Sequence, residues 1–471
     1  MGILFAMKRI LICVASLAVV AAAAAKAPEG AITPDMMKEI RTSYDAGSAT
    51  DRALRNALSA TDMNTLALDA TKKNGFDTHF SHKVESKGIT DQQSSGRCWL
   101  FTGLNVLRAQ MMTAHNLPEL KLSQNYNFFW DQLEKANLFL QSIIDTASLP
   151  ADDKTVDWLF SNPISDGGQY TGVSENIMKY GVVPAEVMNE TYSSDNTSRL
   201  RQLIGLKLRE DGLELRSMKA SGKTDQEMSA RKTAMLSEIY RMLALTLGEP
   251  PTEFEWTRCD ASGNPVETKR YTPQSFYKEF AGNDLKDDYV MLMNDPTREY
   301  YKLYEIEYDR HNYDGKNWTY VNLPIEDIKK VAIASIKDGA MMYFSCDVGK
   351  EFDRKRGVLD TGMYDYGALL GVSFGMDKRQ RIATHASASS HAMTLMAVDL
   401  DDKGNPRKWM VENSWGPGAN DGHLIMTDRW FDEYMFRLVA DKKYITPEIK
   451  KVLDQKPILL PAWDPMFADE L

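Results

Sequence analysis

Apolar positions recur at helical spacing through much of the first half of the chain. Leu100, Leu104, Leu107 and Met111 stand at i, i+4, i+7 and i+11, one face of a helix beginning after Gly96. Thr224-Asp225-Gln226-Glu227 opens a second helix with a capping-box pattern. Its apolar face runs through Met228, Met235, Ile239, Met242 and Leu243, and the pattern stops at Gly248-Glu249-Pro250-Pro251. Residues 26–75 are polar with helix-like alternation and read as an arm, whereas 195–335 are charged and mostly helical in pattern. From Ala340 onward the pattern turns to strands, at 341–344, 393–398 and 409–411. Helices first and strands later predict an α+β fold whose helical and sheet regions face each other across a cleft.

The extreme N-terminus has a different pattern. Lys8 and Arg9 precede an apolar run from Ile10 to Val20 that ends in the alanines 21–25. A basic start, a short apolar run and an Ala-x-Ala exit predict a secretory signal cleaved after Ala25, and hence an exported protein. The alternative is a membrane anchor, but the run is shorter than the ~20 residues that span a bilayer. Cys13 does not fit lipid attachment, because bulky Ile12 precedes it and the apolar run continues past it. Loss of Lys8 and Arg9 takes the net charge from −10 to −12, which argues against nucleic acid as the main partner. Four cysteines in 471 residues exclude a disulfide-built scaffold.

The chemistry converges on one of those cysteines. Cys98 follows the polar loop Gln92-Gln93-Ser94-Ser95-Gly96-Arg97 and opens the helix described above. A thiol there meets unpaired N–H groups and the positive end of the helix dipole, and such placement with a neighbouring imidazolium lowers a cysteine pKa to roughly 3.5–7.5. A lone cysteine is more often structural, so a base and an orienting group must be found elsewhere. His391 begins an apolar strand pattern, a turn follows at 401–406, and a second strand leads to Asn413. In a simple hairpin His391 and Asn413 are neighbours, and the amide oxygen can hold an imidazole N–H. His385 would need its turn inside the strand. Gln92 supplies a side-chain donor that, with the Cys98 backbone N–H, can stabilise an oxyanion. Trp415 can cover the His–Asn bond and exclude water, or equally be a core indole. His79 and His82 stand i, i+3 apart with no matching carboxylates, and no metal or organic cofactor is expected.

These features resemble the papain-like cysteine peptidases, specifically the bleomycin hydrolase / aminopeptidase C branch. The resemblance rests on QQSSGRCWLF from Gln92, SQNYNFFWDQLEKAN from Ser123, NPISDGGQY from Asn162 and KYGVVP from Lys179. It continues in ASIKDGAMMYFSCDVGK from Ala334, HAMTLMAV from His391, VENSWG from Val411 and LPAWDPM from Leu460. It implies Cys98 as nucleophile, His391 as general base and acid, Asn413 as orienter and Gln92 in the oxyanion hole. Gly167 and Gly168 resemble the pair whose backbone binds an extended substrate. The implied papain-like fold has a helical lobe at 76–194, a helical insertion for oligomerisation at 195–335 and a β-rich lobe at 336–460. It implies a homohexameric barrel acting on peptides, with the tail 461–471 in the active-site cleft and the Leu471 carboxylate facing the substrate amine. Ser95 stands where ordinary papain-like enzymes carry a disulfide cysteine. Members of the branch are mostly cytosolic, so the leader is the feature that departs from family habit.

The expected function is a cysteine-type aminopeptidase trimming N-terminal residues from short peptides. An ungated endopeptidase is the alternative within the enzymes. From another class, a chamber protein that binds nucleic acid through a basic channel is the rival, and the net charge weighs against it.

Overall fold

The computed structural model describes residues 30–73 and 77–467, in two compact units that divide after Leu66. The leader at 1–25 and the tip with Leu471 lie outside the described residues. The first unit holds the helices Pro34–Thr42 and Ala49–Ala60, capped by the Thr33 and Ser48 side chains. Ile32, Met36, Ile40 and Tyr44 of this unit stay exposed. The sequence pattern runs the arm to residue 75, but 67–73 belong with the second unit. There the Ala67 carbonyl accepts from Asp365 N at 2.7 Å and Lys72 pairs with Asp360 at 2.6 Å.

In the second unit the helix expected after Gly96 runs Cys98–His115, and Leu100, Leu104, Leu107 and Met111 are all buried. It packs with the helices Gln124–Asp145 and Tyr170–Tyr180. Thr197–Ala220 and Asp225–Leu247 pack in turn on Gln124–Asp145. The capping box at Thr224 forms in both directions: Glu227 N donates to Thr224 Oγ1 and Thr224 N to the Glu227 carboxylate. Gly248, at φ +90°, ends that helix where a side chain would be strained.

A twelve-stranded sheet makes up the other half. Its centre runs in the spatial order Met435–Asp441, Met342–Cys346, His391–Leu400, Pro406–Glu412, His423–Thr427, each strand antiparallel to the next. Alternation sorts the side chains by face. Tyr343, Ala392 and Val439 join the core shared with the Cys98 helix. Phe344, Met393 and Leu438 pack instead with Ile328, Val331 and Phe431, which lie on the helices Ile325–Lys337 and Asp428–Tyr434. All three strands expected from Ala340 onward are present, and the fold is α+β.

The expectation of a helical insertion at 195–335 is corrected in its second half. Phe254–Cys259 and Pro265–Tyr271 form a separate hairpin, and Tyr289–Met293, Lys302–Ile306 and Thr319–Asn322 extend the large sheet. These last strands are four or five residues long and largely buried, so no long polar–apolar alternation announces them.

One buried ion pair ties the Cys98 helix to the sheet. Arg108 Nη2 lies 3.3 Å from Glu412 Oε1, and both side chains are almost wholly shielded from water. Arg108 also donates to the Gly88 carbonyl at 2.6 Å, and Ser86 donates to Glu412 at 2.5 Å. Burial pushes the Glu412 carboxyl up and the Arg108 guanidinium down, so each depends on its partners to stay charged. Glu412→Ala strands the guanidinium and is expected to cost about 3–5 kcal/mol. Denaturant unfolding reads this as a lower midpoint, and an unchanged midpoint would show that the pair adds nothing.

Candidate active site

The loop before Cys98 is held from both sides. Gly96 N donates to Asp166 Oδ2 at 2.9 Å, and a Cβ on Gly96 would sit 2.7 Å from that carboxylate, which would have to shift to admit one. Arg97 is fully buried; it pairs with Glu190 at 2.7 Å and lies over the rings of Phe101 and Phe128. These anchors set the start of the helix, and half-buried Cys98 occupies its first position. The first N–H groups of a helix have no intrahelical partner and face whatever lies before the helix.

His391 and Asn413 come together as expected, though not by the expected pairing. Thr394 lies opposite Glu412 and Leu395 opposite Val411; beyond a bulge Val398 meets Trp409. The register is therefore offset by two to three residues from a hairpin pairing His391 with Asn413. The strand partner of His391 is Cys346. The chain leaves the strand after Glu412, which lets the Asn413 side chain reach the ring, with His391 Nε2 2.8 Å from Oδ1. Asn413 Oδ1 also accepts from Ser414 N at 2.8 Å, so it is the acceptor and His391 Nε2 is the donor. In the neutral ring Nδ1 is then left unprotonated, able to take a proton.

Trp415 stacks on this imidazole, with ring centroids 4.7 Å apart and planes 26° from parallel, and Arg354 lies over the outer indole face. Burial pushes the His391 pKa down to about 4, against the hydrogen bond to Asn413, and the Arg354 charge adds to the depression.

Gln92 is buried and fully oriented. Ser414 Oγ donates to its Oε1 at 2.7 Å, its Nε2 donates to the Ser95 carbonyl at 2.7 Å, and its backbone N donates to the Ser414 carbonyl at 2.8 Å. The amide nitrogen keeps a second N–H. Gln92, Cys98, His391, Trp415, Gly167 and Gly168 all line one cavity of about 360 Å³. Tyr343 and Ser345, from the sheet face turned toward the Cys98 helix, also border it. A thiol, a neutral imidazole held by an amide, and an oriented donor in one cleft can perform acyl transfer through a covalent thioester. Cys346 is fully buried and burial pushes its thiol well up, so it cannot compete as nucleophile.

The sequence reading missed Ser414 and Asp166. Ser414 lies inside the VENSWG motif, but nothing in spacing connects it to Gln92, 322 residues earlier. Of Leu471 the structure says nothing, since it lies outside the described residues.

The model of the Peptidase C1-like family matches residues 31–467. The chain belongs to that family. Among the peptidase's relatives, the bleomycin hydrolase of Homo sapiens is 42% identical over 400 residues, covering 83% of this chain and 88% of the relative. The aminopeptidase C of Lactobacillus delbrueckii subsp. lactis is 39% identical over 400 residues, with the same coverage of each chain. The crystal structure of PepW from Lactobacillus rhamnosis HN001 superposes with a TM-score of 0.89 at 38% identity, covering 93% of the peptidase and 99% of that chain. The peptidase is thus of the cysteine type, in the bleomycin hydrolase / aminopeptidase C branch of the papain-like enzymes.

A lowered imidazole pKa keeps His391 neutral, and able to accept a proton, to lower pH than an ordinary histidine. The acid limb of kcat is therefore expected well below 6.5. Trp415→Ala admits water to the ring and should move that limb upward, measured by turnover across pH on one peptide reporter. A limb that stays in place would show that the indole does not shield the imidazole.

Proposed function

We propose that this cysteine aminopeptidase works through Cys98 as nucleophile, His391 as base and acid, Asn413 as orienter and Gln92 in the oxyanion hole. The observation that carries this reading is the 2.8 Å bond from His391 to Asn413 beneath Trp415, in the cavity that Cys98 also lines. His391 Nδ1 takes the thiol proton, and the thiolate attacks the first peptide carbonyl. Negative charge builds on the carbonyl oxygen, where the second N–H of Gln92 Nε2 and the Cys98 backbone N–H meet it. The imidazolium gives its proton to the leaving amine, and the thioester remains. Water then loses a proton to His391 as it attacks the thioester, and the thiolate leaves and is reprotonated. The imidazolium, which burial alone disfavours, is stabilised while the thiolate stands beside it.

The C-terminal tail gates the cleft in this reading. Its path supports the assignment: the strand Ile458–Leu460 pairs with Lys302–Ile306, Asp464 pairs with Arg298, and Arg437 Nη2 donates to the Met466 carbonyl at 3.0 Å. Phe467 is buried under the Arg437 guanidinium and borders the same small cavity as Gly167 and Gly168. Four residues follow, with an extended reach of about 14 Å. In this reading they carry the Leu471 carboxylate toward the α-amine of a bound peptide.

The mature enzyme begins at Lys26, is exported and assembles as a homohexamer. The signal pattern supports the first two statements. The exposed Leu203, Leu206 and Leu213 along the helix Thr197–Ala220 support the third, as apolar surface available to further copies.

Cys98→Ala and His391→Ala are each expected to abolish turnover with the fold intact. Removing 468–471, which spares buried Phe467, should lower cleavage of a free N-terminal peptide and admit its acetylated counterpart. Activity retained in either point variant overturns the mechanism, and unchanged selectivity in the truncation overturns the gate in favour of an ungated endopeptidase. N-terminal sequencing of the mature protein is expected to start at Lys26, and light scattering to give six chains. A retained leader or a monomer contradicts the respective statement.

A further inference from the structure

The Gly167–Gly168 wall of the cleft rests on a buried ionic cluster that none of the chemistry above uses. Lys135 lies on the helix Gln124–Asp145. Its ammonium donates to the Ser165 carbonyl at 3.0 Å and the Gly167 carbonyl at 2.6 Å, and sits 2.9 Å from Asp131 Oδ2. Gln132 Nε2 adds a second bond to Ser165 O at 2.9 Å. Asp131 Oδ1 in turn meets His311 Nδ1 at 2.5 Å. The His311 ring packs edge-on to Trp99 and so close to Gly168 and Gly172 that a Cβ on either would lie 2.3 or 2.1 Å from Cε1. Burial alone would push the Asp131 carboxyl up, but Lys135 and His311 hold it down. Burial and the ammonium keep the imidazole neutral, so Nδ1–H donates to the carboxylate.

The consequence follows from peptide planarity. The C=O and N–H of one trans peptide unit point in opposite directions. Lys135 borders the small cavity behind the Gly167–Gly168 segment and not the catalytic one, while both glycines border both. Drawing the Gly167 carbonyl toward Lys135 therefore turns the Gly168 N–H toward the catalytic cavity, and the adjacent charge polarises that peptide into a stronger donor.

We propose that Lys135, held by Asp131 and His311, is a positioning residue that aims the Gly168 N–H at a peptide carbonyl of an extended chain lying in the cleft. The inference rests on the thiol aminopeptidase reading. The carbonyl belongs either to the substrate or to the enzyme's own tail, and the two sources separate experimentally.

The test compares wild type, Lys135→Met and the charge-neutral pair Asp131→Asn with Lys135→Met, which avoids stranding a buried carboxylate. Each is measured with and without residues 468–471, on one reporter peptide with a free and an acetylated N-terminus. Active sites are counted by titrating turnover to zero with a substrate-like peptide epoxide, which only a folded cleft takes up, so any unfolded fraction drops out of kcat. With the substrate as source, KM rises about tenfold in both chain lengths while kcat per titrated site changes little, the loss of one polarised hydrogen bond. With the tail as source, the full-length variants gain activity on the acetylated peptide and the truncated ones match truncated wild type. Either result supports the positioning role. Unchanged KM and unchanged selectivity in both variants overturn it, as does a loss confined to the number of titratable sites. Cys98→Ala, run alongside, reports separately on the parent reading: if it stays active, that reading has failed whatever Lys135 does.

Discussion

The short pairing of Asp91 and Gln92 with Ser414 and Trp415 is the contact on which the active site depends. Gln92 N donates to the Ser414 carbonyl, Ser414 Oγ donates to Gln92 Oε1, and Asp91 bridges to Trp415. Through Asn413 Oδ1, which accepts from both Ser414 N and His391, the same four residues connect the orientation of the imidazole to that of the Gln92 amide. Helix and sheet each position their own groups, and this seam sets one set against the other by direct hydrogen bonds. The buried Arg108–Glu412 pair reinforces it from the next turn of structure, joining the Cys98 helix to the strand that ends at Asn413.

Electrostatics at the site are governed by exclusion of water more than by charge. The partner of His391 is an amide, not a carboxylate, so nothing permanent supports an imidazolium, and burial beneath Trp415 disfavours it further. In the proposed mechanism such a ring is a base in waiting, charged chiefly when a thiolate forms beside it. Behind the Gly167–Gly168 wall, Asp131 and Lys135 are buried together 2.9 Å apart, and the role proposed for them is geometric. A buried ion pair earns little stability of its own but holds direction well, and here the direction is that of the peptide between Gly167 and Gly168.

Much of this was legible in the chain. The helix at Cys98 followed from apolar spacing, the helix at 225 from its capping box, and the three strands after Ala340 from their runs of β-formers. Short-range physics suffices for such elements, because burial of one face and satisfaction of end groups are decided within a few turns. The strands between 289 and 322 were not legible, since short strands buried in a large sheet carry no polar face. Nor was the arm's end at residue 66, where contacts with 360–365 claim the residues that follow.

For the site, the residue types and their order were enough to name Cys98, His391, Asn413 and Gln92 and the chemistry they suit. Reactivity resides in side-chain identity, and a helix start or a hairpin strand can be read locally. Which groups hold those side chains was decided only by the tertiary structure. The hairpin turn centres on residue 403 and the two bulges cancel, so His391 meets Asn413 through a side chain leaving the strand and not through a ladder pair. Ser414, Asp166, Lys135 and His311 act across separations from about 30 to over 300 residues, as between Lys135 and Ser165 or Ser414 and Gln92. Hydrogen bonds and close packing act over ångströms in space and leave no periodic trace along the chain.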